Sequence, residues 1–143
     1  MRQVYYRAAG GVVVHNQKVL LLDRPGRGEV RLPKGHVEEG ESPVETALRE
    51  VCEEAGYVNV TIVADLGSQQ VRFVDPYRDR QVTRDEHYFL MRLRDERQVE
   101  RDRREHQFIP IWVTAGEAIA RLTFEAEQEF VRRALRWITE RRS

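Results

Sequence analysis

Between Gly35 and Tyr57 the chain reads GHVEEGESPVETALREVCEEAGY, and no other stretch constrains the fold as strongly. Ser42-Pro43-Val44-Glu45 is a capping box: a serine hydroxyl for an orphan amide, proline at the first helical position, and a glutamate reaching back. Gly56 supplies the residue that turns left-handed at the C-terminal end. Between these ends Val44, Ala47, Leu48, Val51 and Ala55 recur at helical spacing and form one apolar face. The pattern predicts a helix over about 43–55 that lays this face on a core. Arg49, Glu50, Glu53 and Glu54 then fall on the opposite side.

That polar side is electrostatically awkward. Glu50 and Glu54 are four residues apart, so their side chains are neighbours and repel. At roughly 5 Å and an effective dielectric of about 20, the repulsion is on the order of 3 kcal/mol. Acids also belong in the first turn of a helix rather than the last, where the dipole disfavours them. Arg49 offsets part of this through Glu53. A Mg²⁺ or Mn²⁺ ion, which prefers hard oxygen ligands, would turn the liability into a site.

The spacing is specific. Gly35, five residues, Glu41, seven residues, then Arg49-Glu50-Val51-Cys52-Glu53-Glu54-Ala55-Gly56-Tyr57 resembles the Nudix box at every fixed polar and glycine position. Tyr57 departs from it, at a packing position where that family prefers an aliphatic residue. The resemblance implies an α/β/α sandwich with a mixed central sheet, and Mg²⁺- or Mn²⁺-dependent hydrolysis of a nucleoside diphosphate linked to another moiety. It implies Glu50 and Glu54 as principal metal ligands, Glu53 in the same cluster, and the Gly35 carbonyl as a backbone ligand. Arg49, paired with Glu41 and Glu53, would hold the carboxylates in register.

Further segments narrow the resemblance to the asymmetrical diadenosine tetraphosphate hydrolases. They are Pro33-Lys34-Gly35-His36-Val37-Glu38, Glu105-His106-Gln107 before Trp112, Leu122-Thr123-Phe124, and the strand from Arg84 to Leu90. This subgroup implies Glu105 as a carboxylate reaching in from a loop, to bind a metal or accept a proton from the attacking water. As one acid in an arginine-glutamate run, Glu105 is also readable as a solvated loop residue. Lys34 and His36 are expected on phosphate oxygens and Arg84 on the substrate. Tyr88 is open between stacking on adenine and a place in the core. Val30 and Arg31 stand where the subgroup often has an aromatic residue, and Asp85 and Glu86 where it is apolar or neutral. The substrate alternatives are therefore nucleoside triphosphates and other nucleoside diphosphate derivatives. A ligand-sensing module without turnover is the non-enzymatic alternative, and the full set of box glutamates argues against it.

The 143 residues are expected to form a single domain, 1–143. No stretch has the length of a membrane span and the N-terminus lacks a leader's apolar core, so a cytoplasmic protein is expected. One cysteine, Cys52, rules out an internal disulfide framework. The 24 basic and 24 acidic residues balance, which gives no basis for bulk nucleic-acid binding. The expected partner is a small nucleotide, bound by a monomer or small homo-oligomer. Strands are predicted at 5–14, 18–22, 58–74, 81–92 and 108–113, with a hairpin turn at Asn16-Gln17. A second capping box, Thr114 to Glu117, opens a short helix, and a longer one covers about 124–140. In its stripe of Glu127, Phe130, Val131, Ala134, Trp137 and Ile138, only Glu127 is not apolar.

Overall fold

Apolar, β-prone residues make β1, Arg2–His15, which turns at Asn16 and Gln17 into β2, Lys18–Arg24. Both turn residues are left-handed, with φ of 51° and 65°, as a two-residue hairpin between right-twisted strands requires. The computed structural model describes residues 1–142. A 3-10 turn at Pro25–Arg27 leads to the short strands β3 (Glu29–Arg31) and β4 (Lys34–His36). Next come α1 (Pro43–Ala55), β5 (Val60–Asp75) and β6 (Arg80–Leu93). A second 3-10 segment at Arg103–Gln107 precedes β7 (Ile109–Thr114), α2 (Ala115–Arg121) and α3 (Glu125–Arg141). The strand β3 is an addition to the sequence reading.

The sheet runs β3-β2-β1-β6-β5, with β4 also on β1 and β7 also on β2. β1 and β6 are parallel and every other pair is antiparallel. Because successive strand side chains point to opposite faces, the central strands feed two cores. On one face Ala47, Val51 and Ala55 of α1 meet Ala9, Val13, Leu20, Phe89 and Met91. On the other, Phe130, Val131 and Ala134 of α3 and Ala118 of α2 meet Val12, Leu21, Tyr88 and Leu90. This is the expected α/β/α sandwich. No helix among the described residues is long and apolar enough to cross a membrane.

Two features place the acidic helix. Its cap forms as the sequence implies: the Glu45 N–H donates to Ser42 Oγ at 3.1 Å and the Ser42 N–H to Glu45 Oε1 at 3.0 Å. Such a cap contributes about 0.5–2 kcal/mol. At the far end Gly56, at φ 88°, donates to the Cys52 carbonyl at 2.8 Å. The β4 register, Ala8↔His36, Ala9↔Gly35 and Gly10↔Lys34, then brings Gly35 against α1. A Cβ on Gly35 would stand 2.1 Å from Glu50 Oε1, so any larger residue would displace that carboxylate.

Candidate active site

Arg49 is the hub of the site. Its Nε donates to Glu41 Oε2 at 2.7 Å, Nη1 to Glu50 Oε1 at 2.8 Å and to Glu53 Oε2 at 3.2 Å, and Nη2 to the His36 carbonyl at 2.9 Å. One planar guanidinium thereby ties α1 to β4 and to the loop before the helix. The Glu41 carboxyl is held down at about 2, chiefly by its bond from Arg49 and then by the Thr46 hydroxyl. Crowded by acids, the Arg49 guanidinium is pushed further above its already high value.

Glu50 and Glu54 face inward rather than forming the solvated face of a free helix. Glu54 is 4 % exposed; its Oε1 accepts the Lys34 N–H at 2.8 Å and its Oε2 meets Arg31 Nη2 at 3.4 Å. Burial lifts its carboxyl to about 8, with Arg31 opposing and Glu50 adding to the rise. Burial likewise raises Glu50 to about 7, Arg49 opposing and Glu53 and Glu105 reinforcing. Burial thus penalises charge on the pair more than Arg49 and Arg31 relieve it, and its donors are hard oxygens, as Mg²⁺ or Mn²⁺ requires. As the side chains stand, no group of three His, Cys, Asp or Glu among the described residues is gathered closely enough to hold an ion. Arg49, Arg31 and the Lys34 amide hold the carboxylates in other bonds.

Glu105 arrives from the 3-10 segment Arg103–Gln107 and is half-buried, not a fully solvated acid of a charged loop. Burial, then repulsion from Glu53, raises its carboxyl. The segment is tied down by Arg101, whose Nη1 donates to the carbonyls of Glu54 (3.0 Å), Glu105 (3.1 Å) and Phe108 (2.9 Å). The two ends of the acidic cluster are therefore joined by one arginine.

Residues 5–137 match the NUDIX domain. The chain belongs to the NUDIX family. It is 39 % identical over 103 residues to a Mycobacterium tuberculosis protein named as mutator protein MutT4, aligning over 65 % of this chain and 40 % of the relative. It is thus well under two-thirds of the length of that curated relative. Among solved structures, a C. elegans Ap4A hydrolase superposes with a TM-score of 0.72 at 20 % identity, covering 94 % of this chain and 98 % of the other. The E. coli dihydroneopterin triphosphate pyrophosphohydrolase gives 0.68 at 20 %, covering 90 % and 94 %. These likenesses are likenesses of NUDIX fold.

On this NUDIX scaffold the substrate residues anticipated from sequence divide. Tyr88 is a correction: it is fully buried, its ring centroid 4.4 Å from that of Phe130, so it has no face for a base. Its hydroxyl has no partner among the described residues. Lys34 is turned inward as well, its Nζ 2.6 Å from Glu127 Oε2 and away from any phosphate at the surface. His36 is exposed, whereas Arg84 is largely buried, its side chain 17 % exposed. The His36 ring lies 3.9 Å from that of Tyr6, and burial, then Arg84, keeps the imidazole below its ordinary pKa. Arg84 donates to the Tyr6 hydroxyl at 3.1 Å, pairs with Glu86 at 2.7 Å and sits 5.0 Å from the Phe73 ring centroid. The registers Tyr6↔Arg84, Ala8↔His36 and Phe73↔Val82 set these groups on one sheet face, the one α3 covers further along.

Sequence reasoning missed Tyr6, Phe73, Arg31, Arg101 and Glu127. Strand alternation offered a signal for Tyr6 and Phe73, since both fall in phase with Arg84 once the strands are paired. Glu127 had one too: a lone charge in an apolar helical stripe needs a buried partner.

Proposed function

We propose that the chain hydrolyses a phosphoanhydride bond of a nucleotide with the help of Mg²⁺ or Mn²⁺, and that diadenosine polyphosphates, cleaved asymmetrically, are its substrates. Diadenosine tetraphosphate would give ATP plus AMP. The observation that carries the reading is the pair Glu50 and Glu54, drawn out of water beside Gly35 so that burial raises both carboxyls. With Glu53, Glu105 and the Gly35 carbonyl they are the residues that would hold the cation. When bound, the cation supplies charge against the phosphate oxygens and makes water a better nucleophile at neutral pH.

The chain's own residues do the rest. Arg49 keeps Glu41, Glu50 and Glu53 from splaying apart. Glu105, with its raised pKa, accepts a proton from the attacking water as the new P–O bond forms and the bridging P–O bond breaks. His36 and Arg84 stand beside Tyr6, with Phe73 next to Arg84, on the sheet face opposite the α1 core. These aromatic groups offer a sequence-tolerant face to a base, while Arg84 meets negative charge.

A second reading has its own support. The mycobacterial relative is named as a mutator protein, and a Lactococcus lactis relative, 42 % identical over 50 residues, as a DHNTP pyrophosphohydrolase. With Tyr88 in the core, the anticipated adenine stack is missing as well. Chromatography of products from diadenosine tetraphosphate and from nucleoside triphosphates, with Mg²⁺ and with a chelator, separates the two. Equal ATP and AMP from the dinucleotide is the expected result. Pyrophosphate released from a triphosphate selects the second reading, and no cation-dependent product from any nucleotide overturns both.

A further inference from the structure

Glu127 is an acidic residue on the apolar stripe of α3 and is only 1 % exposed. Its Oε2 meets Lys34 Nζ at 2.6 Å while its Oε1 accepts the Leu32 N–H, also at 2.6 Å. One carboxylate from the far helix thus grips two points of the segment that leads into β4. The same segment holds Glu54. The Lys34 N–H donates to Glu54 Oε1 at 2.8 Å, and Arg31 Nη2 bridges the Lys34 carbonyl (3.2 Å) and Glu54 Oε2 (3.4 Å). The next residue, Gly35, lies directly under Glu50.

We infer that Glu127 is a positioning residue: through Lys34 and Leu32 it fixes the 31–35 segment against which Glu54 and Glu50 take their places. The inference rests on the hydrolase reading above. A buried ion pair is a poor device for stability alone, because taking both charges out of water costs about as much as their attraction returns. Its value is geometric: both oxygens of Glu127 and the Lys34 ammonium have fixed partners, so the turn has one arrangement. Groups that orient ligands in this way matter nearly as much as the ligands. The charge on Lys34 is engaged by Glu127, so Lys34 serves the acidic centre from behind instead of meeting substrate phosphate.

A double-mutant cycle tests this on the full chain, using Glu127→Gln, Lys34→Met and the two combined. Mn²⁺ affinity is read from the free-ion paramagnetic resonance signal, and kcat and KM from whichever nucleotide the parent hydrolyses. Each single variant is expected to weaken Mn²⁺ binding and lower kcat by roughly 10- to 100-fold, with KM within about twofold. The paired variant should lose no more than the worse single one, because the second change removes only a charge already stranded. Multiplying effects overturn the inference. So does a KM rise of about tenfold in Lys34→Met at parental Mn²⁺ affinity, since that places Lys34 on the phosphates. If a single variant is too unstable to purify, the paired variant, which strands no charge, decides: about a tenfold loss of Mn²⁺ affinity supports the inference and parental affinity overturns it. A parent that neither binds Mn²⁺ nor turns over any nucleotide fells the hydrolase reading and this one with it. An active parent with unaffected variants fells this one alone.

Discussion

Glu54 is enclosed by the Lys34 amide and the Arg31 guanidinium, and burial still raises its carboxyl to about 8, the mark of a functional carboxylate. Glu54→Gln keeps the volume and one hydrogen-bond acceptor while removing the charge. Turnover should fall by more than about 100-fold, and the metal-free melting temperature at pH 8 should hold or rise. Kinetics beside circular-dichroism melting check both halves; near-parental turnover would remove Glu54 from the site. Tyr88 gives the opposite case. Its buried hydroxyl has no partner among the described residues, so Tyr88→Phe should be neutral or stabilising by about 1 kcal/mol, with KM unchanged. A marked rise in KM would return Tyr88 to the substrate.

At the scale of elements, α1 was legible in the sequence because both its ends are written locally. The Ser42–Glu45 box and Gly56 bound it at Pro43–Ala55, and α3 was read almost as closely from its apolar stripe. The box glutamates were equally plain, because spacing along one helix needs no knowledge of the rest of the fold. What escaped notice is non-local. Tyr6 meets Arg84 across 78 positions and Lys34 meets Glu127 across 93, and no local pattern reports such pairings. Arg101 escaped because a charged run reads as solvent, whereas here one member turns inward to bind three carbonyls. Its removal offers a test at this scale. Arg101→Ala should free Arg103–Gln107, and Glu105 with it, and lower kcat about tenfold. Faster hydrogen exchange confined to residues 103–107 would accompany it. Unchanged exchange there would show that the segment needs no such anchor.

Across the whole molecule, proton uptake and cation binding compete for the same carboxylates. Glu50 near 7 and Glu54 near 8 both titrate far above the unfolded value of 4.5, and Glu105 is shifted the same way. From about pH 4.5 to 8 the folded chain therefore holds more protons than the unfolded one, and these groups make it less stable as pH rises. Glu41, held near 2, acts in reverse: its contribution is present above 4.5 and is lost as pH falls toward 2. His36, lowered from 6.5, also favours the fold at higher pH, but it is one group against three. The metal-free chain should thus melt highest near about pH 5 and progressively lower toward pH 8. A divalent cation needs the carboxylates ionised, so saturating Mg²⁺ should raise the melting temperature far more at pH 8 than at pH 5. Calorimetry in chelator and in Mg²⁺ at both pH values measures the two slopes. A metal-free chain that gains stability up to pH 8, with one Mg²⁺ increment throughout, would mean that the acidic pair carries no uncompensated charge, and the case for a cation between α1 and β4 would go with it.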